Sequence, residues 1–425
     1  MQHPFRLFLF SAAAFVAVFS CAPSGAAASD WKGKTETREG VLHVLNPAEP
    51  AEPPMEITLD ERWRIGEDSE SEDEFFGVIM EIATGTDGTV YILDTQLHQV
   101  SIYSPEGEFV RAIGHEGEGP GEFRRPGNLI LLPGGNIGVV QTMPGKIVML
   151  SPEGKPLGNY PVPEAPGGGV RFFLGCQRAG DNILLGVNEF SQSEAGFKTI
   201  FHIIAVNPKG EQIASYLSIE NQRDAANMVF DEKESSGFGT PWIAGKDGRV
   251  YASKVFDAYR IEVWRPDGAR DRVIERQYQS RARSSEEMER ASRRFRVRIN
   301  NAEPERKISK TDRDIFRMFP RNDGTLWVLS SRGGFSAPKG VLGVFDVFDA
   351  EGKFIRQVSL KGEGSIERDG LFFAGERLYV VTDLVSARFA AFGGGAGGAA
   401  EEEADTEPMS VICYQLGQPL HGMKP

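Results

Sequence analysis

Trp63-Arg64-Ile65-Gly66 with Glu74-Phe75, and Arg111-Ala112-Ile113-Gly114 with Glu122-Phe123, are one phrase written twice, with nine positions from glycine to phenylalanine in each. Both copies lead into an apolar stretch, a turn glycine (Gly88, Gly135) and a β-branched strand. The first copy stands ahead of the first complete repeating unit. Chain placed there can supply the outer strand of the last unit, which bends a row of small sheets into a circle without free ends.

The unit recurs down the chain. Asp87-Gly88 precedes Val90-Tyr91-Ile92-Leu93-Asp94, and Val100-Ser101-Ile102-Tyr103 precedes Pro105-Glu106-Gly107. Gly134-Gly135 and Pro152-Glu153-Gly154 repeat this, with nineteen residues between the two turn glycines in both copies. Gly180-Asp181 with Pro208-Lys209-Gly210, Asp247-Gly248 with Pro266-Asp267-Gly268, and Asp323-Gly324 with Ala350-Glu351-Gly352 continue the series. A sixth copy, Gly375-Glu376 with Leu378-Tyr379-Val380-Val381 and Ser410–Leu416, lacks the second turn and the fourth strand. Asp-Gly and Gly-Gly pairs suit tight hairpins, and alternation along Val90–Leu93 gives each small sheet two apolar faces. Such a sheet is marginal alone and needs neighbours on both sides. The expected fold is all-β: a six-bladed β-propeller over residues 55–417, its last blade completed by the Ile57–Gly66 segment.

Two insertions break the pattern. Ser284–Ile299 opens with a capping-box arrangement of Ser284 or Ser285 with Glu287 or Glu289. It continues with Met288, Ala291, Phe295 and Ile299 at helical spacing, which predicts one amphipathic helix between blades four and five. Residues 393–408 are glycine and alanine followed by Glu401-Glu402-Glu403, a composition that reads as a disordered loop in blade six.

Gly 49 and Pro 25 in 425 residues fit a turn-rich ring, and 40% hydrophobic residues suffice for its core. The net charge of -13 argues against nucleic acid as a partner. Residues 1–20 read as a signal peptide, with Arg6 as the only charge and an apolar run from Leu7 to Phe19. Val18-Phe19-Ser20-Cys21 resembles a bacterial lipobox, which makes Cys21 the candidate lipidation site; the competing reading is ordinary cleavage near Ala26-Ala27-Ala28. Residues 21–54 then read as a flexible tether and 418–425 as a tail. Cys176 and Cys413 fall in repeats three and six, on opposite sides of the ring, and read as buried free thiols.

Ile113-Gly114, Gly117, Gly119-Pro120-Gly121-Glu122-Phe123 and Pro126 resemble the inter-blade signature of NHL-type propellers, and Asp94 followed by Val100 fits the same group. With the lipobox, the chain is similar over Ile57–Leu416 to bacterial six-bladed β-propeller lipoproteins. The resemblance implies an envelope location, as an outer-membrane lipoprotein or in the periplasm. It does not fix a function, because this ring serves lyases, lactonases and purely binding proteins. Where the family commonly has Asn and Arg, this chain has His98 and Gln99.

A catalytic zinc or calcium at the ring axis would need three imidazoles, or several carboxylates, converging from different blades. His98, His115 and His202 are the weak candidates, and scattered histidines are the favoured reading, so no cofactor is expected. Glu67–Glu74 holds six acids in eight residues and reads as a solvated loop. Arg281, Arg283, Arg290, Arg293, Arg294, Arg296 and Arg298 lie on or beside the inserted helix. They form either a docking patch or, in the favoured reading, a set of ion pairs with the acidic ring. Arg283, Arg290, Arg293, Arg294 and Arg296 are the candidate binding residues. The reading that follows is an exported recognition protein without catalysis, its partner an envelope protein or glycan, anchored to the membrane by lipid alone. The alternative is a metal-dependent lyase or lactonase.

Overall fold

Gly88 and Gly107, the two turn glycines of the first complete copy, adopt φ of 89° and 87°, the region a tight hairpin requires and a side chain resists. Turns of this kind fold the chain into successive antiparallel meanders. The computed structural model describes residues 31–66, 75–164, 170–193, 196–223, 229–234, 239–294, 305–388 and 409–417.

Blade one runs Ile79–Thr84, Val90–Asp94, Gln99–Tyr103 and Phe109–Ile113. Blade two runs Pro126–Leu131, Ile137–Gln141, Lys146–Leu150 and Pro156–Asn159. Blade three is built of longer strands, Val170–Ala179, Asn182–Ser193, Gly196–Val206 and Gln212–Arg223. Blade four runs Trp242–Ala244, Val250–Ala252, Arg260–Trp264 and Arg270–Arg276. Blade five runs Ile315–Pro320, Leu326–Ser330, Val341–Phe348 and Phe354–Lys361. Blade six has three strands of its own, Gly370–Ala374, Arg377–Val381 and Val411–Leu416.

The strand Met55–Ile65 closes the ring. Its later part pairs antiparallel with Val411–Leu416, Ile65 opposite Val411 and Trp63 opposite Cys413. Its first residues lie elsewhere: Met55–Thr58 pairs in parallel with Val358–Lys361, the outer strand of blade five. One strand thus joins blades five and six before completing the latter. Trp63 then reaches blade one, where its indole Nε1 donates to the Pro105 carbonyl at 3.0 Å and its ring lies against Gly107.

Among the described residues six apolar clusters fill the six interfaces, and strand alternation assigns each buried residue to one of them. Leu93 of blade one packs with Val139 of blade two, while Val140 packs with Leu185 of blade three. Trp264 lies between blades three and four, Phe348 between four and five, and Leu360 between five and six. The last cluster joins Ile65, Tyr379 and Val411 of blade six to Val90 and Ile92 of blade one. Cys176 and Cys413 are buried free thiols.

The expected tether is corrected in part. Lys34–Arg38 and Val41–Asn46 form a hairpin, and the second strand pairs in parallel with Arg270–Arg276, widening blade four to six strands. Glu39 and Gly40, both at positive φ, make the turn. Asn46 pins the hairpin: its side-chain nitrogen donates to the Glu275 and Gly352 carbonyls, and its oxygen accepts from Trp31 Nε1 and the Phe354 amide. A buried amide with every group satisfied ties this stretch to blades four and five at once. Residues 1–30, the acidic run 67–74, the loop 393–408 and the tail 418–425 lie outside the described residues, and Cys21 and Arg296 with them.

Candidate functional site at the ring axis

The innermost strands of blades one, two, three and five each carry a register shift at the same place. The irregularity falls between Ile79 and Glu81, Pro126 and Asn128, Phe173 and Gly175, and Ile315 and Arg317. A bulge of this kind re-aims the side chain that follows it. In blades one, two and five that side chain is polar: Glu81, Asn128 and Arg317.

Glu81 and Asn128 meet across neighbouring blades, and Arg317, two blades from Glu81 around the ring, lies within range of its charge, which places the group toward the axis. Asn128 Nδ2 donates to Glu81 Oε2 at 2.9 Å. Arg317 and Glu81 feel each other's charge. A fourth member is delivered by the short helix Leu384–Arg388, which follows the second strand of blade six and packs on the inner strand of blade one. Arg388 Nη2 donates to the Met80 carbonyl, and its charge also acts on Glu81.

The group is enclosed but not sealed. All four side chains are half-buried and keep some solvent contact. Burial pushes the Glu81 carboxyl up to about 7, against the opposing pull of Arg388, the Ile82 amide and Arg317. Burial, reinforced by the like charge of Arg388, brings Arg317 down to about 10, against the attraction of Glu81. Burial likewise lowers Arg388.

Much of this polar capacity is unused. Arg317 makes no hydrogen bond or ion pair to any described residue, and its guanidinium lies 5.6 Å from the centroid of the Phe316 ring. Asn128 Oδ1 and Arg388 Nε are buried without partners among the described residues. Two guanidiniums, one carboxylate and one amide, with hydrogen-bonding capacity left over on both arginines and the amide, form a set that attracts an anion rather than a divalent cation.

The sequence candidates lie elsewhere. The inserted helix spans Ser285–Arg294, and its expected continuation to Ile299 falls outside the described residues. Its capping box is reciprocal: the Ser284 amide donates to Glu287 Oε2 at 2.7 Å, and the Glu287 amide donates to Ser284 Oγ at 3.2 Å. Arg283 is 10% exposed, with a bidentate pair to Glu232 and a bond to Asp312. Arg281 bonds Asp312, Glu287 and Ser336. Arg290 pairs with Glu286 and Glu367, Arg293 with Glu289, and Arg294 ends the helix.

The histidines meet only local groups. His98 faces the Gln96 carbonyl, His115 is 70% exposed beside Glu122, and His202 lies between Glu189 and Ser218 in blade three. Among the described residues no cluster of three or more His, Cys, Asp or Glu side chains could hold a metal ion. Asp94, by contrast, has a clear structural task, accepting from the amides of Gly77, Val78, Gln96 and Leu97.

None of the axial residues stands out by type. Their signal is a shared offset: Glu81, Asn128 and Arg317 each lie seven residues before a turn glycine, Gly88, Gly135 and Gly324. Arg388 has no such marker.

The DUF5128 family model, a 6-bladed beta-propeller, matches residues 70–240, which hold Glu81 and Asn128 but neither axial arginine. The chain is similar to a solved structure of a Bacteroides fragilis protein described as exported, at 12% identity and TM-score 0.46, covering 86% of this chain and 100% of that one. It is also similar to a DUF4221 family member from Bacteroides vulgatus, at 12% identity and TM-score 0.49 over 85% and 99%. A virginiamycin B lyase from Staphylococcus aureus matches at 10% identity and TM-score 0.41 over 83% and 99%. No curated protein matches the sequence. With six blades, six inter-blade cores and a terminal strand closing the circle, the chain is a six-bladed β-propeller.

Proposed function

We propose that this propeller is an exported, lipid-anchored binding protein of the cell envelope that takes its ligand at the axial opening without transforming it. The observation that carries the reading is the grouping of Glu81, Asn128, Arg317 and Arg388, in which Arg317, Asn128 Oδ1 and Arg388 Nε have no hydrogen-bond partner among the described residues. A fold that needed Arg317 for its own stability would pair it, because an unpaired charge in a half-buried place is costly. Leaving it without a partner among the described residues favours a ligand in that role. The apolar leader ending in Cys21 supports export and anchoring, and among the described residues no helix is long and apolar enough to cross a membrane.

Two measurements test this. Cys21→Ser should shift the protein from the membrane fraction to the soluble envelope fraction; a protein that stays membrane-bound would remove the lipid anchor from the reading. Elemental analysis of the purified protein should find no stoichiometric divalent ion. A tightly held one would replace the binding reading with that of a metal-assisted lyase or lactonase.

A further inference from the structure

We propose that the axial site binds a small monocarboxylate, its carboxylate on the Arg317 fork and a neighbouring hydroxyl or ammonium donating to Glu81 and Asn128. The inference rests on the axial binding reading above and gives it a ligand class.

Shape argues first. A guanidinium offers parallel donors in one plane, the match for the two oxygens of a carboxylate, and Arg317 spends none of them on a described residue. Charge argues second. Two guanidiniums against one carboxylate leave a single positive excess when Glu81 is ionised, which a monoanion neutralises. A dianionic phosphate would add repulsion against Glu81.

The acceptors argue third. Asn128 Nδ2 is committed to Glu81 Oε2, so its Oδ1 is an acceptor with no donor among the described residues, and Glu81 has a second oxygen to offer. A plain carboxylate leaves these groups unmet; one with an adjacent donor satisfies them. Enclosure strengthens each bond relative to water.

Thermal melts of the purified full chain with lactate, glucuronate, alanine, acetate or phosphate at about 10 mM test the class. At least one of the first three should raise the melting temperature by about 2–4 °C, more than acetate does, and phosphate should leave it unmoved. Arg317→Met should abolish the shift; should that variant fold poorly, Arg317→Lys, which keeps the charge without the fork, should weaken it at least tenfold in titration calorimetry. A phosphate response that depends on Arg317 would overturn the carboxylate class and leave the axial reading standing. A carboxylate response that survives in both variants would overturn the axial reading as well. Silence toward all five compounds would overturn the ligand class.

Discussion

Two groups of arginines in this ring differ in what surrounds them. At the rim, Arg281 and Arg283 meet Glu232, Glu287 and Asp312, and every guanidinium nitrogen has an acceptor. At the axis, Arg317 has none among the described residues, and Arg388 has one, a backbone carbonyl. The rim is what charge looks like when it holds an insertion onto a blade. The axis is what it looks like when the fold leaves a partner to be supplied from outside.

The comparison breaks most visibly at Asp312, the acid that both rim arginines share. Asp312→Ala leaves two guanidiniums short of an acceptor in a site where Arg283 is 10% exposed, and should lower unfolding stability by about 3–5 kcal/mol in urea titrations. Glu287 comes next. The Arg281 hydrogen bond, opposed by burial and helped by the Ser284 cap, holds its carboxyl down to about 2 in the folded chain. Its contribution is therefore complete above the ordinary glutamate value of 4.5 and fades as pH falls toward 2. Glu287→Gln, which keeps the cap acceptor, should cost about 2 kcal/mol at neutral pH, and the gap to the parent should narrow as acid is added.

How much of this could be read beforehand divides along the same line. The ring was legible because closure leaves a mark: Trp63-Arg64-Ile65-Gly66 copies Arg111-Ala112-Ile113-Gly114, and both play the part of an outer strand. The helix start at Ser284 was legible because a capping box is local chemistry. The hairpin at 34–46 was not read, although Thr35 and Thr37 alternate with charges and Glu39-Gly40 marks a turn. The prolines that follow suggested a tether, and the partner strand, Arg270–Arg276, lies more than two hundred residues away. The axial site was hidden because single polar residues in inner strands look like ordinary surface positions. Only the ring brings Glu81, Asn128 and Arg317 together, and Arg388 enters from a short helix that no repeat describes.

Arg317 sharpens the contrast through the sign of its effect. A half-buried cation without an acceptor among the described residues weakens the fold, so Arg317→Met should raise stability by about 1–2 kcal/mol in the ligand-free protein, where removing a rim arginine lowers it. A loss of similar size would mean that Arg317 is structural after all.

The smallest effect sets the two glutamates against each other. Burial raises the Glu81 carboxyl to about 7 in the folded chain, from an ordinary 4.5. Below 4.5 both folded and unfolded chains hold this proton and the group is silent. Between 4.5 and 7 the folded chain holds it more tightly, so stability falls as pH rises, and above 7 the full penalty of the buried charge is present. Glu81→Gln keeps an acceptor for Asn128 while removing that charge. It should match the parent at pH 4.5 and exceed it by about 1 kcal/mol at pH 8, the gain held down by the solvent that still reaches Glu81. Glu287→Gln moves the other way over its own range, so chemical unfolding of both variants across pH tells a carboxylate held by a salt bridge from one that burial dominates. Parallel pH profiles would erase the distinction between rim and axis.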